Sequence, residues 1–183
     1  LAVLFLTVIT HGRFAAWLFA LTVVAITIIS LYFVGGRSYA RFFIFPVLFL
    51  LIAVPWPSRV QLPLTGKMST LNAAISARVA NHLGTPAVRS GVIIETGSGP
   101  VGVDEACSGI RSFQASLMVS LFLGELFQFG FFRRGLLLFG GVGIALFCNV
   151  VRTTYLVRTC DLKGLDAVNL YHDQAGFAIL GIT

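Results

Sequence analysis

Charge is what this sequence has least of. Only 11% of its 183 residues are Asp, Glu, Lys or Arg, against 57% hydrophobic residues and a mean hydropathy of +0.92. A single small soluble core cannot hide that much apolar surface. A water-soluble globular fold is therefore excluded, and the composition points to a polytopic membrane protein. Cysteine is scarce as well. Cys107, Cys148 and Cys160 form an odd number with no paired spacing, so there is neither a disulfide framework nor a zinc site, and at least one thiol is left free. No residue pattern asks for a metal or an organic cofactor. Internal repeats and low-complexity tracts are also missing. The net charge of +6 sits on cations scattered singly among apolar stretches, not ranged along one face with interleaved aromatics, which excludes nucleic acid as a partner.

What is present is a series of apolar runs. Residues 1–10, 14–34, 42–56, 112–132 and 136–157 each predict an entry into the membrane, and a sixth begins near Ala175. The uncharged run at 14–34 is long enough to cross a hydrocarbon core of about 30 Å as a helix. Pro46 and Pro55 fall in the shorter run at 42–56, which predicts a kink there, with Trp56 at the interface. The chain begins and ends inside apolar runs. It reads as one membrane-embedded domain over 1–183, cut at both ends from a longer protein, and the first run is not a signal peptide.

The connectors at 35–41 and 131–135 carry Arg37, Arg41, Arg133 and Arg134. Short loops rich in arginine face the cytoplasm. Counting crossings outward from them puts 57–106 and 158–173 on the extracytoplasmic side of the cell's inner or plasma membrane. Arg59, Lys67, Arg78 and Arg89 weaken that assignment without reversing it. Within the outer segment, Met68, Leu71, Ile75, Val79 and Leu83 recur at spacings of three and four. They predict an amphipathic helix over 67–83 lying on the membrane or over a cleft, ended by Gly84 and Pro86. Residues 92–96 and 101–104, joined by Gly97-Ser98-Gly99-Pro100, predict a small β-hairpin. The expected fold is thus an all-α polytopic transmembrane bundle carrying an extracytoplasmic helix and one hairpin.

Three patches hold the reactive side chains: Glu105-Ala106-Cys107-Ser108-Gly109-Ile110-Arg111, Asn149-Val150-Val151-Arg152 and Tyr171-His172-Asp173. Cys107 stands where an irregular loop turns into a long helix, and the dipole and free amides of a helix N-terminus favour thiolate over thiol. Most membrane cysteines are inert buried residues; glycine and charge around Cys107 set it apart. His172 has an acidic neighbour, Asp173, able to fix its tautomer for proton transfer. An arginine at 152 among Val150, Val151, Tyr155 and Leu156 is costly in a membrane and usually pairs or serves a site; its guanidinium suits an oxyanion, although snorkelling to the interface is the plain alternative. Asn149, one turn earlier, can orient Arg152. Glu105 and Arg111 are supporting candidates. Glu125 is read as structural, pairing with Arg133 or Arg134, and Cys148 and Cys160 carry no chemistry. Two crossings separate Cys107 from Arg152 and none follows before His172, so all three are expected on one face of the membrane.

In these patches, in their order, the chain closely resembles the exosortase/archaeosortase family of membrane cysteine transpeptidases. Val54-Pro55-Trp56-Pro57 and Leu83-Gly84-Thr85-Pro86 add to the likeness, which runs from about Phe42 to the C-terminal end. The resemblance implies that Cys107 is the nucleophile and that Arg152 and His172 are its partners. It further implies an exported protein substrate whose C-terminal sorting signal joins a tripeptide of the Pro-Glu-Pro type, a transmembrane helix and a basic tail. Cleavage through a thioester and transfer to an envelope acceptor follow, with membrane lipid as surroundings and no cofactor. Two other readings of the residues stay open. One is a cysteine peptidase that only hydrolyses, and the other is a transporter or assembly subunit in which Arg152 and Glu125 mark a polar path.

Overall fold

The computed structural model describes residues 13–103 and 108–165. The chain divides into two compact units, 1–62 and 63–183.

The first unit is dominated by α1 (Arg13–Ala53), a 41-residue helix broken at Gly36, the one residue in it with non-helical backbone (φ 70°, ψ −167°). Glycine occupies that left-handed φ without the Cβ clash other residues meet. The break falls within the connector expected at 35–41, but it is a single residue, and Arg37 to Arg41 already belong to the helix that follows. Pro46 sits within that helix without taking it out of helical geometry, so the kink expected in the 42–56 run is found at Gly36 instead. Stretches of Leu, Ile, Val and Phe with no internal acid make α1 helical and leave it bare: Val34 is 85% exposed and Phe42 77%.

The second unit contains α2 (Ser58–His82, continuing from the first unit), a three-stranded sheet, α3 (Ile110–Leu126) and α4 (Phe131–Lys163). The sheet is an antiparallel meander, β1 (Ala87–Ser90), β2 (Ile93–Thr96) and β3 (Gly99–Gly102), with two-residue turns at Gly91-Val92 and Gly97-Ser98. The expected hairpin is there as β2 and β3, with Gly99 and Pro100 drawn from the turn into the strand. The strand β1 was not anticipated. Its sequence Ala-Val-Arg-Ser lacks an alternating pattern; Asn81 holds it in place, its amide exchanging hydrogen bonds with both the N–H (3.0 Å) and the C=O (2.7 Å) of Ala87.

The core of this unit lies where the inner sheet face, one face of α2 and the last half of α4 meet. Ile94, Val101 and Val103 pack there with Ala73, Ala77, Ala80, Leu156, Val157 and Cys160. On α2 the inward face consists of Thr65, Ser69, Asn72, Ala73, Ser76, Ala77 and Ala80, small residues at spacings of three and four that let the helix come close to α4. The apolar stripe expected to organise this helix points the other way, with Leu71, Ile75 and Leu83 exposed. The helix also starts nine residues earlier than the expected 67–83.

Helices α3 and α4 form an antiparallel pair. Gly109 lies against Asn149, Gly141 against Ser116 and Ser120, Ser120 Oγ donates to Leu137 O at 3.3 Å, and Gly124 meets Arg134. Their connector is residues 127–130, a turn earlier than the expected 131–135. Gln128 adopts a left-handed φ of 49° with its amide donating to Glu125 O, and Arg134 closes the turn through Phe129 O (2.7 Å) and Glu125 (2.7 Å). Hydrophobicity alone runs straight through Phe127 to Phe132 and hides that turn.

Among the described residues two helices are long and apolar enough to cross a membrane: α1 over Ala15–Ala53 and α4 over Phe131–Lys163. Only 6% and 11% of their most apolar stretches are buried within the protein. The core helices of a soluble protein would be largely buried, so these surfaces need lipid around them.

Candidate functional site

Of the residues singled out from sequence, Arg152, Asn149 and Arg111 are described, whereas Cys107, Glu105, His172 and Asp173 lie outside the described residues. The site can be built up from the two patches that flank the first of these gaps and the middle of α4.

The chain re-enters description at Ser108, which is 1% exposed, and its hydroxyl accepts a hydrogen bond from the Ile110 N–H at 3.2 Å. Gly109 then takes a left-handed conformation (φ 84°, ψ 6°) as the N-cap of α3. The helix therefore opens at Ile110, three residues beyond Cys107 and two before the apolar run expected at 112–132. Two separate constraints make glycine necessary here. The positive φ disfavours any side chain, and a Cβ would come within 2.7 Å of Asn149 Nδ2 and 2.8 Å of its Cγ. Asn149 itself is buried, 3% exposed. The structure thus seats the amide of Asn149 on the backbone of the Cys-Ser-Gly-Ile-Arg patch, bringing together two of the three patches.

One turn beyond Asn149, Arg152 is half-buried on the flank of the α4 face that meets α2. That face is locked by a polar network the sequence reading did not find. Asn72 Nδ2 donates to Thr153 Oγ1 at 2.7 Å, and Ser76 Oγ donates to Asn72 Oδ1 at 3.1 Å and to the Val150 carbonyl at 3.4 Å. Asn72, Ser76 and Thr153 are all buried. Buried polar groups joined in this way fix one packing register, because any slip leaves them unsatisfied. The backbone on both sides of Arg152, at Val150 and Thr153, is therefore held from α2. The available signal was the run of small residues at 69, 72, 73, 76, 77 and 80.

Arg111 is exposed, at the first turn of α3. Glu125 and Arg134 form their ion pair at the far end of the α3–α4 pair, away from this site, which fits the structural role expected for Glu125. Both described cysteines are free thiols. Cys148 is half-buried, and Cys160 is a core residue whose sulfur accepts from Thr96 Oγ1 (3.7 Å) and lies 3.8 Å from Gly99 O, tying the sheet to α4. Among the described residues no cluster of His, Cys, Asp or Glu could hold a metal ion.

A buried amide against the start of α3, with a guanidinium one turn further along α4, is an arrangement of polar groups that acyl-transfer chemistry can use. No curated protein and no solved structure matches the chain. The family model for transmembrane exosortases matches it across residues 1–183, and with its lipid-facing helices the chain is a membrane protein belonging to the transmembrane exosortase family.

Proposed function

We propose that the protein is a membrane-embedded cysteine transpeptidase that cuts a C-terminal sorting signal from exported proteins. Cys107 is its nucleophile, His172 its base and Arg152 its oxyanion-binding cation. The observation that carries this reading is the seating of Asn149 on Gly109. Gly109 follows Cys107 by two residues, a reach of at most about 7 Å of chain, and Asn149 precedes Arg152 by one helical turn.

In the proposed reaction the Cys107 thiol gives its proton to His172, and the thiolate attacks the carbonyl carbon of the scissile peptide bond. The carbonyl oxygen becomes an oxyanion held by the Arg152 guanidinium. Collapse expels the amine of the leaving segment, which takes its proton from His172 and leaves a thioester on Cys107. An acceptor amine then attacks the thioester, losing a proton to His172, and the thiolate departs. Asp173 fixes the imidazole, Asn149 positions Arg152, and Glu105 and Arg111 set the charge around the sulfur.

The length of α4 supports a site at the membrane's edge. Thirty-three residues at about 1.5 Å each make a rod of about 50 Å, well beyond a hydrocarbon core of about 30 Å. With the bare segment from Phe131 in lipid, Asn149 and Arg152 come near the exit. Likewise α1, 41 residues broken at Gly36, is long enough for two crossings.

The deciding experiment is Cys107→Ala in cells making a tailed substrate. Processing is expected to stop while the variant remains in the membrane at normal level, and continued processing would remove the proposal. Mass spectrometry of the product's new C-terminus then separates outcomes: an adduct means transfer, and a free carboxylate with acceptor present means hydrolysis.

A further inference from the structure

The structure gathers cations that look scattered in the sequence. Two adjoining grooves, of about 420 and 580 Å³, run between the outer flank of α2 and strand β1 and share Ala74 and Arg89. One is bounded by Arg78, the other by Lys67, and Arg89 projects from β1 across the junction, its Nη1 donating to Thr70 O at 3.3 Å. No acid lines either groove. Lys67 and Arg78 make no ion pair among the described residues. Three positive charges thus stand over a floor of Ala74, Gly66 and Pro63. Leu71 also lines the larger groove, 58% exposed, and on the same outer side of α2 it is followed by Ile75, at 38%.

We propose that this groove binds an anionic phospholipid. The phosphodiester sits among Arg89, Arg78 and Lys67, and an acyl chain lies along Leu71 and Ile75. Guanidinium and ammonium groups are the usual partners of phosphate oxygens. A basic flank bordering an apolar helix stripe is the pattern of a helix that lies in the headgroup region. An acidic peptide would satisfy the cations but not the apolar stripe beside them, whereas a lipid satisfies both and surrounds this protein at all times. The site is separate from the cysteine chemistry: none of its residues belongs to the 105–111, 149–152 or 171–173 patches.

The full chain, reconstituted in nanodiscs of equal phosphatidylglycerol and phosphatidylcholine and released for native mass spectrometry, tests this directly. The wild type is expected to retain phosphatidylglycerol over phosphatidylcholine. Replacing Lys67, Arg78 and Arg89 by Gln should lower that retention by about fivefold for each charge removed. Arg78→Lys with Arg89→Lys should keep it, and Lys67→Gln with Arg78→Gln leaves the Arg89 to Thr70 hydrogen bond intact should the triple variant not fold. Glycerol phosphate added in solution should not displace the bound lipid. Equal retention of both lipids by the wild type, or unchanged phosphatidylglycerol retention in the charge-removed variants, overturns the proposal. So does a fluorescein-labelled decapeptide bearing two Glu that binds the wild type and loses binding in those variants while lipid retention stays constant. Cys107→Ala should retain lipid like the wild type, so failure here and failure of the transpeptidase reading are separate results.

Discussion

The two halves of α4 do different work with one continuous helix. From Phe131 to Ile144 no residue is buried: Phe131 is 94% exposed and Phe139 76%, and its neighbour α3 is met through Gly141, Ser116 and Ser120. From Ala145 onward the buried residues crowd in, Asn149, Thr153, Thr154, Leu156, Val157, Thr159 and Cys160, packed on α2 and the sheet. The first half meets its partner as helices do in lipid, where close backbone approach at small residues replaces a hydrophobic driving force. The second half carries a mixed core of apolar and hydrogen-bonded polar side chains, as in a water-soluble domain. Asn149 and Arg152 lie just past the boundary, where the hydrogen-bonded half can hold polar side chains rigidly beside the bare half.

That contrast can be broken from either side. The largest effect is expected for Leu156→Ala, which empties a fully buried position and should cost about 2–5 kcal/mol, read as a lower apparent melting midpoint in detergent. Leu136→Ala in the bare half, at 67% exposure, should leave the midpoint almost unmoved, and equal losses at the two positions would erase the distinction. Next comes the polar lock. Asn72→Ala removes the donor to Thr153 and leaves Ser76 only the Val150 carbonyl, and should cost about 1–3 kcal/mol. It should also slow substrate processing by loosening the backbone beside Arg152, whereas a fall in stability with processing intact would uncouple that network from the site. Gly141→Ala should cost about 1–2 kcal/mol by driving a Cβ to within 2.6 Å of Ser120 Oγ and 2.9 Å of Ser116 Oγ, and Ser116→Ala with Ser120→Ala in the same chain should recover part of it. The smallest effect belongs to Glu125→Gln. Its partner Arg134 is 40% exposed, and a pair so open to solvent contributes about 0–1 kcal/mol.

Much of this was readable from the residues because membrane helices announce themselves by composition. The runs at 14–34 and 136–157 fall inside α1 and α4, and the pairing of Glu125 with a nearby arginine followed from an acid stranded in an apolar run. Boundaries were harder. Phe127 to Phe132 is as apolar as the helices around it, and the turn there is set by Gln128, Gly130 and Arg134 through hydrogen bonds that leave no hydropathy signature. Strand β1 escaped because its placement depends on Asn81, a tertiary contact. On α2 the conspicuous Leu and Ile stripe drew attention to the face that lies outward, while small polar residues, weak in any hydropathy scale, form the face that packs. At the site, Asn149 was identified by its spacing from Arg152, but nothing in the sequence revealed that it rests on Gly109. Cys160, set aside as lacking a role, turns out to fasten the sheet.

Because α4 runs unbroken from Phe131 to Lys163, it behaves as a stiff lever spanning two media. Thr153 lies twelve residues, about 18 Å, beyond Gly141, so a tilt of about 5° about that fulcrum would carry the arm beside Arg152 through about 1.6 Å. Displacements of about 1 Å at reacting groups are enough to change rates by orders of magnitude. A thinner or thicker bilayer, which helices of fixed length meet by tilting, would then act as a throttle on the proposed reaction.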